Sequence, residues 1–158
     1  MKTKINFNLN YKEVYIEAEP MKRLLDVLRE DFSFTGVKEG CGEGECGVCS
    51  VIIDGKLINS CLVPAGTLEG TEVITIDGYR ETPKYEIVKK CFEEVGAVQC
   101  GFCISGIMMA AEALLSKKPN PSETEIREGL SGNLCKCKGC NMIVEAISLA
   151  SKRGQGLW

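Results

Sequence analysis

The sequence of 158 residues is long enough for one ordinary domain or two small ones, and 44% of its residues are hydrophobic, which suffices for a buried core. Its formal net charge of -3 differs from the strongly basic character of nucleic-acid-binding domains, so we expect no nucleic-acid partner. Histidine is absent, which excludes any imidazole ligand, base or proton shuttle.

Ten cysteines are the unusual feature of the composition. The first residues lack the apolar core of a signal peptide, and no stretch approaches the roughly 18 apolar residues of a membrane span. We therefore expect a cytoplasmic protein without membrane insertion. Because cytoplasmic thiols stay reduced, the cysteines indicate metal binding or catalysis ahead of disulfide bonds.

The first half of the sequence has the pattern of a small mixed sheet with one helix. Alternating apolar residues and turn signals predict two hairpins and a final strand, at residues 3–16, 51–58 and 73–76. Between the hairpins, Pro20 suits the first turn of a helix whose apolar side ends near Glu30. Residues 1–78 are therefore predicted to form a sheet with a helix packed on one face.

The second half of the sequence is helical. Residues 81–84 form the predicted linker. Apolar residues at helical spacing then predict four short helices, at residues 87–95, 104–115, 122–130 and 141–151. Ser122 and Glu125 give a capping-box signature at the start of the third helix. We expect a compact bundle over residues 84–158.

The first cysteine set has the spacing of a metal-binding loop. Cys41, Cys46 and Cys49 follow a C-x4-C-x2-C pattern, with Cys61 further along, as in plant-type [2Fe–2S] proteins. Glycines that permit positive φ and close backbone approach lie between and beside these cysteines, at positions 40, 42, 44 and 47. Zinc on the same four thiolates is the alternative, and a single C-x2-C clip in a glycine-rich loop favours the iron–sulfur interpretation.

The second cysteine set is less specific by spacing alone. Cys100 and Cys103 form a C-x2-C pair at a predicted helix start, and Cys135 and Cys137 form a C-x-C pair in a loop between two helices. The four thiolates could converge on a second cluster. Two separate redox dithiols are the alternative.

Two cysteines fall outside both sets. Cys91 lies on the apolar side of a predicted helix, which indicates a buried structural thiol. Cys140 follows Cys137 by three positions, so it is either an inert core thiol or a competing ligand. We favour the core thiol, because four ligands are already available for a second cluster.

Four motifs in fixed order carry a family resemblance, at residues 39–49, 59–61, 99–103 and 131–139. With them the sequence resembles, over nearly its whole length, the small iron–sulfur subunit of the xanthine-dehydrogenase family of molybdenum hydroxylases. The resemblance implies an α+β protein with two [2Fe–2S] clusters. A β-grasp ferredoxin-like domain at 1–78 would hold one cluster on Cys41, Cys46, Cys49 and Cys61. An all-α four-helix-bundle domain at 84–158 would hold the other on Cys100, Cys103, Cys135 and Cys137.

The resemblance also implies the role of the chain in a larger enzyme. Electrons would pass from molybdopterin in a large partner subunit, through the two clusters, to FAD in a medium partner subunit. The chain itself would hold no catalytic residue and would not be catalytic alone. Gln99 and Cys137 would face the pterin, although a glutamine beside a helix start is also consistent with an ordinary cap.

The family pattern is not matched everywhere, and it does not identify the substrate. Ile104 and Ser105 stand where family members often have Thr-Pro, and Cys140 stands where they often have an aromatic residue. We expect a purine substrate such as xanthine or hypoxanthine. The alternatives are nicotinate, an aldehyde, carbon monoxide or an aromatic acyl-CoA. A stand-alone ferredoxin-like carrier is less consistent, because it needs only the first half of the chain, and a zinc-stabilised adaptor would be colourless.

Overall fold

The computed structural model describes residues 1–137 and 139–158, which fold as a mixed sheet followed by a helical bundle. The strands are β1 (Thr3–Leu9), β2 (Lys12–Ala18), β3 (Ser50–Ile53), β4 (Lys56–Asn59) and β5 (Glu72–Ile74). The helices are α1 (Leu24–Asp26), α2 (Ile76–Tyr79), α3 (Pro83–Val95), α4 (Ile104–Lys117), α5 (Glu123–Gly129) and α6 (Cys140–Arg153). The α+β class and its order, sheet first and bundle second, are confirmed.

The strands pair in the order β2-β1-β5-β3-β4, with β1 and β5 parallel and the other pairs antiparallel. Both predicted hairpins form, and their turns contain residues with positive φ, among them Asn10 and Asp54. The alternation in β1 buries Ile5, Phe7 and Leu9 on one side of the sheet.

The starts of α1 and α2 differ from the sequence-based predictions. Arg23 is still extended, so α1 begins at Leu24 rather than near Pro20, and it continues as a π-helical turn, Val27–Asp31. Ile76, expected to end the last strand, instead begins α2. At Ile76 one buried apolar residue fits a strand and a helix equally well, so periodicity does not fix that boundary.

Side-chain caps set the starts of two bundle helices. Thr82 accepts a hydrogen bond from the Tyr85 amide, which places Pro83 in the first turn of α3. Pro83 and Lys84, expected in the linker, are therefore helical. The capping box at Ser122 is confirmed, since the Glu125 amide donates to Ser122 Oγ at 3.3 Å and the Ser122 amide to Glu125 Oε2 at 2.8 Å.

The helix α4 joins the two halves of the molecule. It packs against β3, β4 and α2 on one side and against α5 on the other. Its Glu112 accepts hydrogen bonds from Lys84 Nζ at 3.1 Å and from Trp158 Nε1 at 2.8 Å, which fastens the last residues to the bundle. No helix in the described part of the chain is long and apolar enough to cross a membrane.

Replacement of Gly106 in α4 tests how tightly the halves pack. A Cβ at this position would overlap the carbonyl oxygen of Gly47, a backbone atom that has no rotamer to change. We expect Gly106→Ala to lower the free energy of unfolding by about 1–3 kcal/mol, measured by urea titration.

The matched control is Gly129→Ala, also at a helical glycine. The atoms nearest to its Cβ would belong to the flexible Leu114 side chain, the first of them at 3.2 Å. It should be neutral or stabilising, because alanine favours a helix over glycine. Equal losses in both variants would contradict the tight contact at Gly106.

Candidate metal centres

Two arginines of the first helical segment position the loop of the first cysteine set. Arg23 Nη1 donates to Glu39 Oε1 at 2.8 Å, just ahead of the first cysteine. Arg29 Nη1 donates to the carbonyl oxygen of Val37 at 2.6 Å. These bonds fix the entry to the loop against α1 and the turn that follows it.

The second hairpin brings Cys49 and Cys61 together. Cys49 immediately precedes β3, Cys61 lies in a 3-10 turn just after β4, and Ser60 Oγ donates to the Cys49 carbonyl at 2.8 Å. Both thiols are buried. Burial, followed by the contact with Cys49, raises the pKa of Cys61 to about 11.

Cys41 and Cys46 form the more exposed pair of the first set. Backbone amides of Glu43, Cys46 and Glu45 donate to Cys41 Sγ at 3.3, 3.4 and 3.3 Å, and they lower the pKa of this thiol to about 6. The Cys41 amide in turn donates to Cys46 Sγ at 3.4 Å. Such donors stabilise thiolate, the form that binds iron.

Glycine is required where the backbone wraps these sulfurs. A Cβ at Gly40 would lie 2.8 Å from Cys46 Sγ, and Gly44 has a φ of 79° with Leu62 packed against it. Side chains at these positions would displace the sulfur or strain the loop.

The second set is assembled from two loops of the bundle. Cys100 and Cys103 lie between α3 and α4, with Cys103 as the N-cap of α4, and Cys135 and Cys137 lie between α5 and α6. Cys137 Sγ is 3.4 Å from Cys100 Sγ, while Cys103 contacts Cys135. Burial, followed by the Cys135 contact, raises the pKa of Cys103 to about 12.

The eight thiols therefore meet in pairs, which tests the fit to a cluster. The pairs are Cys41 with Cys46, Cys49 with Cys61, Cys100 with Cys137, and Cys103 with Cys135. A [2Fe–2S] group has two irons that share four thiolates, two on each iron. Four thiols arranged as two neighbouring pairs fit that group.

The pairing also disfavours two separate redox dithiols in the second set. A dithiol built on the C-x2-C motif would pair Cys100 with Cys103. Instead each cysteine of that motif contacts one of the C-x-C motif, so the two motifs interleave into one site.

The remaining candidates lie around the second set. Gln99 is exposed in the turn before α4, and its interpretation as a helix cap is wrong because Cys103 is the N-cap. Cys91 is fully buried, as expected. Cys140 is exposed as the first residue of α6, so its expected burial in the core is wrong. The sequence pattern failed there because the exposure of Cys140 depends on how α6 is oriented against the bundle, which local apolar spacing does not encode.

A contact between the two cysteine loops was not predicted from the sequence. The Leu134 amide donates to the Cys46 carbonyl at 2.9 Å, so the residue before Cys135 is bonded to a cysteine of the first set. Cysteines of both sets line one cavity of about 460 Å³, and Phe102 and Leu134 at its edge are 48% and 53% exposed. The only sequence signal is that both apolar residues lie between cysteines of a motif or directly beside one.

Two family models match successive halves of the chain. A 2Fe-2S iron-sulfur cluster binding domain matches residues 7–75, and a [2Fe-2S] binding domain matches residues 75–148. The nicotinate dehydrogenase small FeS subunit of Eubacterium barkeri is 48% identical over 152 residues, which cover 96% of this chain and 97% of that protein. The xanthine dehydrogenase iron-sulfur-binding subunit of Escherichia coli O157:H7 is 43% identical over 145 residues, covering 90% and 91%.

A solved structure shows the same fold. It is quinoline 2-oxidoreductase from Pseudomonas putida 86, with a TM-score of 0.89 and 38% identity over 97% of this chain and 98% of that one. Fold and site thus define an oxidoreductase component with two [2Fe–2S] domains. The chain belongs to the small iron–sulfur subunits of the molybdenum hydroxylase family, which includes the xanthine dehydrogenases.

Substitution of Cys140 tests whether an exposed thiol next to the second set is a ligand. Because Cys103 and Cys135 already pair, as do Cys100 and Cys137, we expect Cys140→Ser to retain about four irons per chain. Cys135→Ser, the matched control, should lose about half of the iron. Iron content and absorbance are the measurements, and loss of a cluster from Cys140→Ser would show that Cys140 is a ligand.

Alkylation of the metal-free chain tests the difference between exposed and buried thiols. Cys41, with its pKa lowered to about 6, is mostly thiolate at pH 7, whereas Cys61, with its pKa raised to about 11, is protonated. Iodoacetamide should therefore modify Cys41 before Cys61, at a rate that rises through pH 6, as followed by peptide mass spectrometry. In urea the two rates should converge, and equal rates in the folded chain would contradict the prediction.

Proposed function

We propose that this chain is the electron-transfer subunit of a heteromeric molybdenum hydroxylase. Its partners are a large subunit that carries molybdopterin and a medium subunit that carries FAD. The chain contributes no catalytic residue and does not turn over substrate alone. Membership in the family supports this assignment, because the related small subunits are named as components of dehydrogenases.

The proposed ligand sets follow the thiol pairs. In the domain of residues 1–78 the ligands are Cys41, Cys46, Cys49 and Cys61. In the domain of residues 84–158 they are Cys100, Cys103, Cys135 and Cys137. Each [2Fe–2S] group supplies a carrier for one electron. The backbone amides at Cys41 Sγ stabilise negative charge on the ligand and so tune that carrier.

The contact between the two loops is the observation that carries the proposal. Cys46 is a ligand of the first set, and its carbonyl accepts a hydrogen bond from Leu134, which is covalently joined to the ligand Cys135. One hydrogen bond and a short run of covalent bonds therefore connect the two sites. A simple plant-type ferredoxin carries one cluster and needs no second site in this position.

The exposed ends of the sites support the placement of the partners. Gln99, Cys100 and the apolar Phe102 lie together at the start of α4, and we propose that the large subunit covers them, with Gln99 and Cys137 toward the pterin. At the first site Leu62 is exposed beside Gly44, and we propose that the medium subunit covers this face.

The substrate class is proposed as an aromatic nitrogen heterocycle oxidised in the large subunit. Nicotinate, xanthine and quinoline, named for the related proteins, all belong to it. The purine expectation stays a prediction within that class. We also propose a cytoplasmic location, where cluster thiols remain reduced before assembly.

Purification of the complex through a tag on this chain tests the proposal. We expect two larger subunits to copurify, with molybdenum, FAD and about four irons per small chain. Anaerobic addition of xanthine or nicotinate should reduce both clusters in the complex and neither in the isolated chain, as read by EPR. Turnover by the isolated chain, or recovery of the chain without partners from its native host, would overturn the proposal.

A ligand variant provides the matched control for that experiment. In a complex with Cys135→Ser, substrate should no longer reduce the first cluster at the normal rate, because the second site is incomplete. Cys140→Ser should behave as the unmodified chain does. Normal reduction of the first cluster in Cys135→Ser would show that electrons bypass the second site.

A further inference from the structure

The carbonyl oxygen of Gly47 is where parts of both cysteine sets meet. Gly47 directly follows Cys46 in the first loop and has a φ of 71°. Asn133, two residues before Cys135, donates from Nδ2 to this oxygen at 2.9 Å. Gly106, three residues after Cys103, lies so close that a Cβ there would overlap the same oxygen.

Asn133 also contacts a wider network of polar side chains that hold the first loop. Its Nδ2 lies 3.5 Å from Ser50 Oγ, and Ser50 Oγ donates to the Gly47 carbonyl at 2.7 Å. Ser50 is buried. On the far side of the loop, Asn59 Nδ2 donates to the Gly44 carbonyl at 2.7 Å. The corners of the first loop are thus held by side-chain donors, and one of these donors comes from the second loop.

Two adjacent residues of the second loop therefore donate hydrogen bonds to two adjacent carbonyl oxygens of the first loop. Leu134 donates to the Cys46 oxygen at 2.9 Å through its backbone, and Asn133 donates to the Gly47 oxygen through its side chain. A single bond would leave the loops free to pivot about it, whereas two adjacent bonds fix orientation as well. Only the second bond depends on the identity of a side chain.

We infer that Asn133 is a positioning residue, whose amide donor fixes the second cysteine set against the first and thereby sets the coupling between the two clusters. The consequence for electron transfer rests on the proposed function. The effect on magnetic coupling between the clusters is independent of that function, because it requires only that both clusters are present in one chain.

Substitutions at Asn133 separate a donor role from a role in shape. The Gly47 oxygen can only accept a hydrogen bond, so Asn133→Asp places a carboxylate against it and repels it, whereas Asn133→Ala merely removes the donor. If the amide acts as a donor, the coupling between the two clusters should decrease from wild type to Asn133→Ala and further to Asn133→Asp. If only the shape of the side chain matters, Asn133→Asp, which matches asparagine in size, should show the coupling of wild type, and Asn133→Ala should show the weakest coupling.

The readout is the spin–spin splitting between the two clusters in the EPR spectrum of the full chain, loaded with both clusters and reduced with dithionite. We expect the splitting to decrease in Asn133→Ala and to be smallest in Asn133→Asp, with about four irons retained. Asn133→Gln, which keeps an amide donor, should retain more splitting than Asn133→Ala, and this comparison holds even if the Asp variant does not fold.

Variants at Asn141 are the matched control, because this asparagine is exposed at the start of α6 and its Oδ1 accepts a hydrogen bond from Arg127 Nη2, within the bundle, at 3.0 Å. Asn141→Ala and Asn141→Asp should leave the splitting unchanged. Unchanged splitting in all Asn133 variants, or a spectrum of Asn133→Asp like that of wild type, would overturn the inference.

The complex with its partners gives the second measurement. Substrate-driven reduction of the first cluster should slow by up to about fivefold in Asn133→Ala, because loss of one partly buried hydrogen bond of about 1 kcal/mol lowers the equilibrium constant for docking of the two loops by that factor. If the splitting changes but the wild-type complex transfers no electrons from substrate, the proposed function fails while the positioning role stands. If the splitting does not change, the positioning role fails regardless of the complex.

Discussion

The structure depends on one requirement, that the fold brings eight thiols into contact as four pairs. No pair of the second set comes from a single motif, since Cys100 meets Cys137 and Cys103 meets Cys135. Those pairs form only when the α3–α4 turn and the α5–α6 loop are packed together. The bundle therefore serves to align two loops, and because thiolates held in this way bind metal, cluster binding and folding of the second half are coupled.

Local sequence patterns predicted the parts of the fold that local forces decide. The two hairpins and the capping box at Ser122 follow from turn residues and caps that act within a few positions. The starts of α1 and α2 did not follow, because they depend on which apolar residues the sheet can cover. The exposure of Cys140 was likewise missed, since it depends on how α6 is oriented against the bundle.

The candidate sites, like the fold, were predicted from the sequence only in part. Cysteine spacing and the family resemblance identified both sets of four, but neither indicated which thiols pair. Nor did they indicate the bonds from Asn133 and Leu134 to the first loop, which join residues more than 80 positions apart. Contacts of this kind depend on the packing of α4 against β3, and no pattern within one segment encodes it.

The interface between the halves and the connection between the two sites share several atoms. The carbonyls of Cys46 and Gly47 accept the bonds that hold the second loop, and Gly106 allows α4 to approach them. The halves cannot change their relative orientation without changing the link between the ligands. A rigid contact between the halves is therefore a requirement of the proposed electron transfer, and the close approach at Gly106 and the donor from Asn133 add to the apolar packing of α4 against β3.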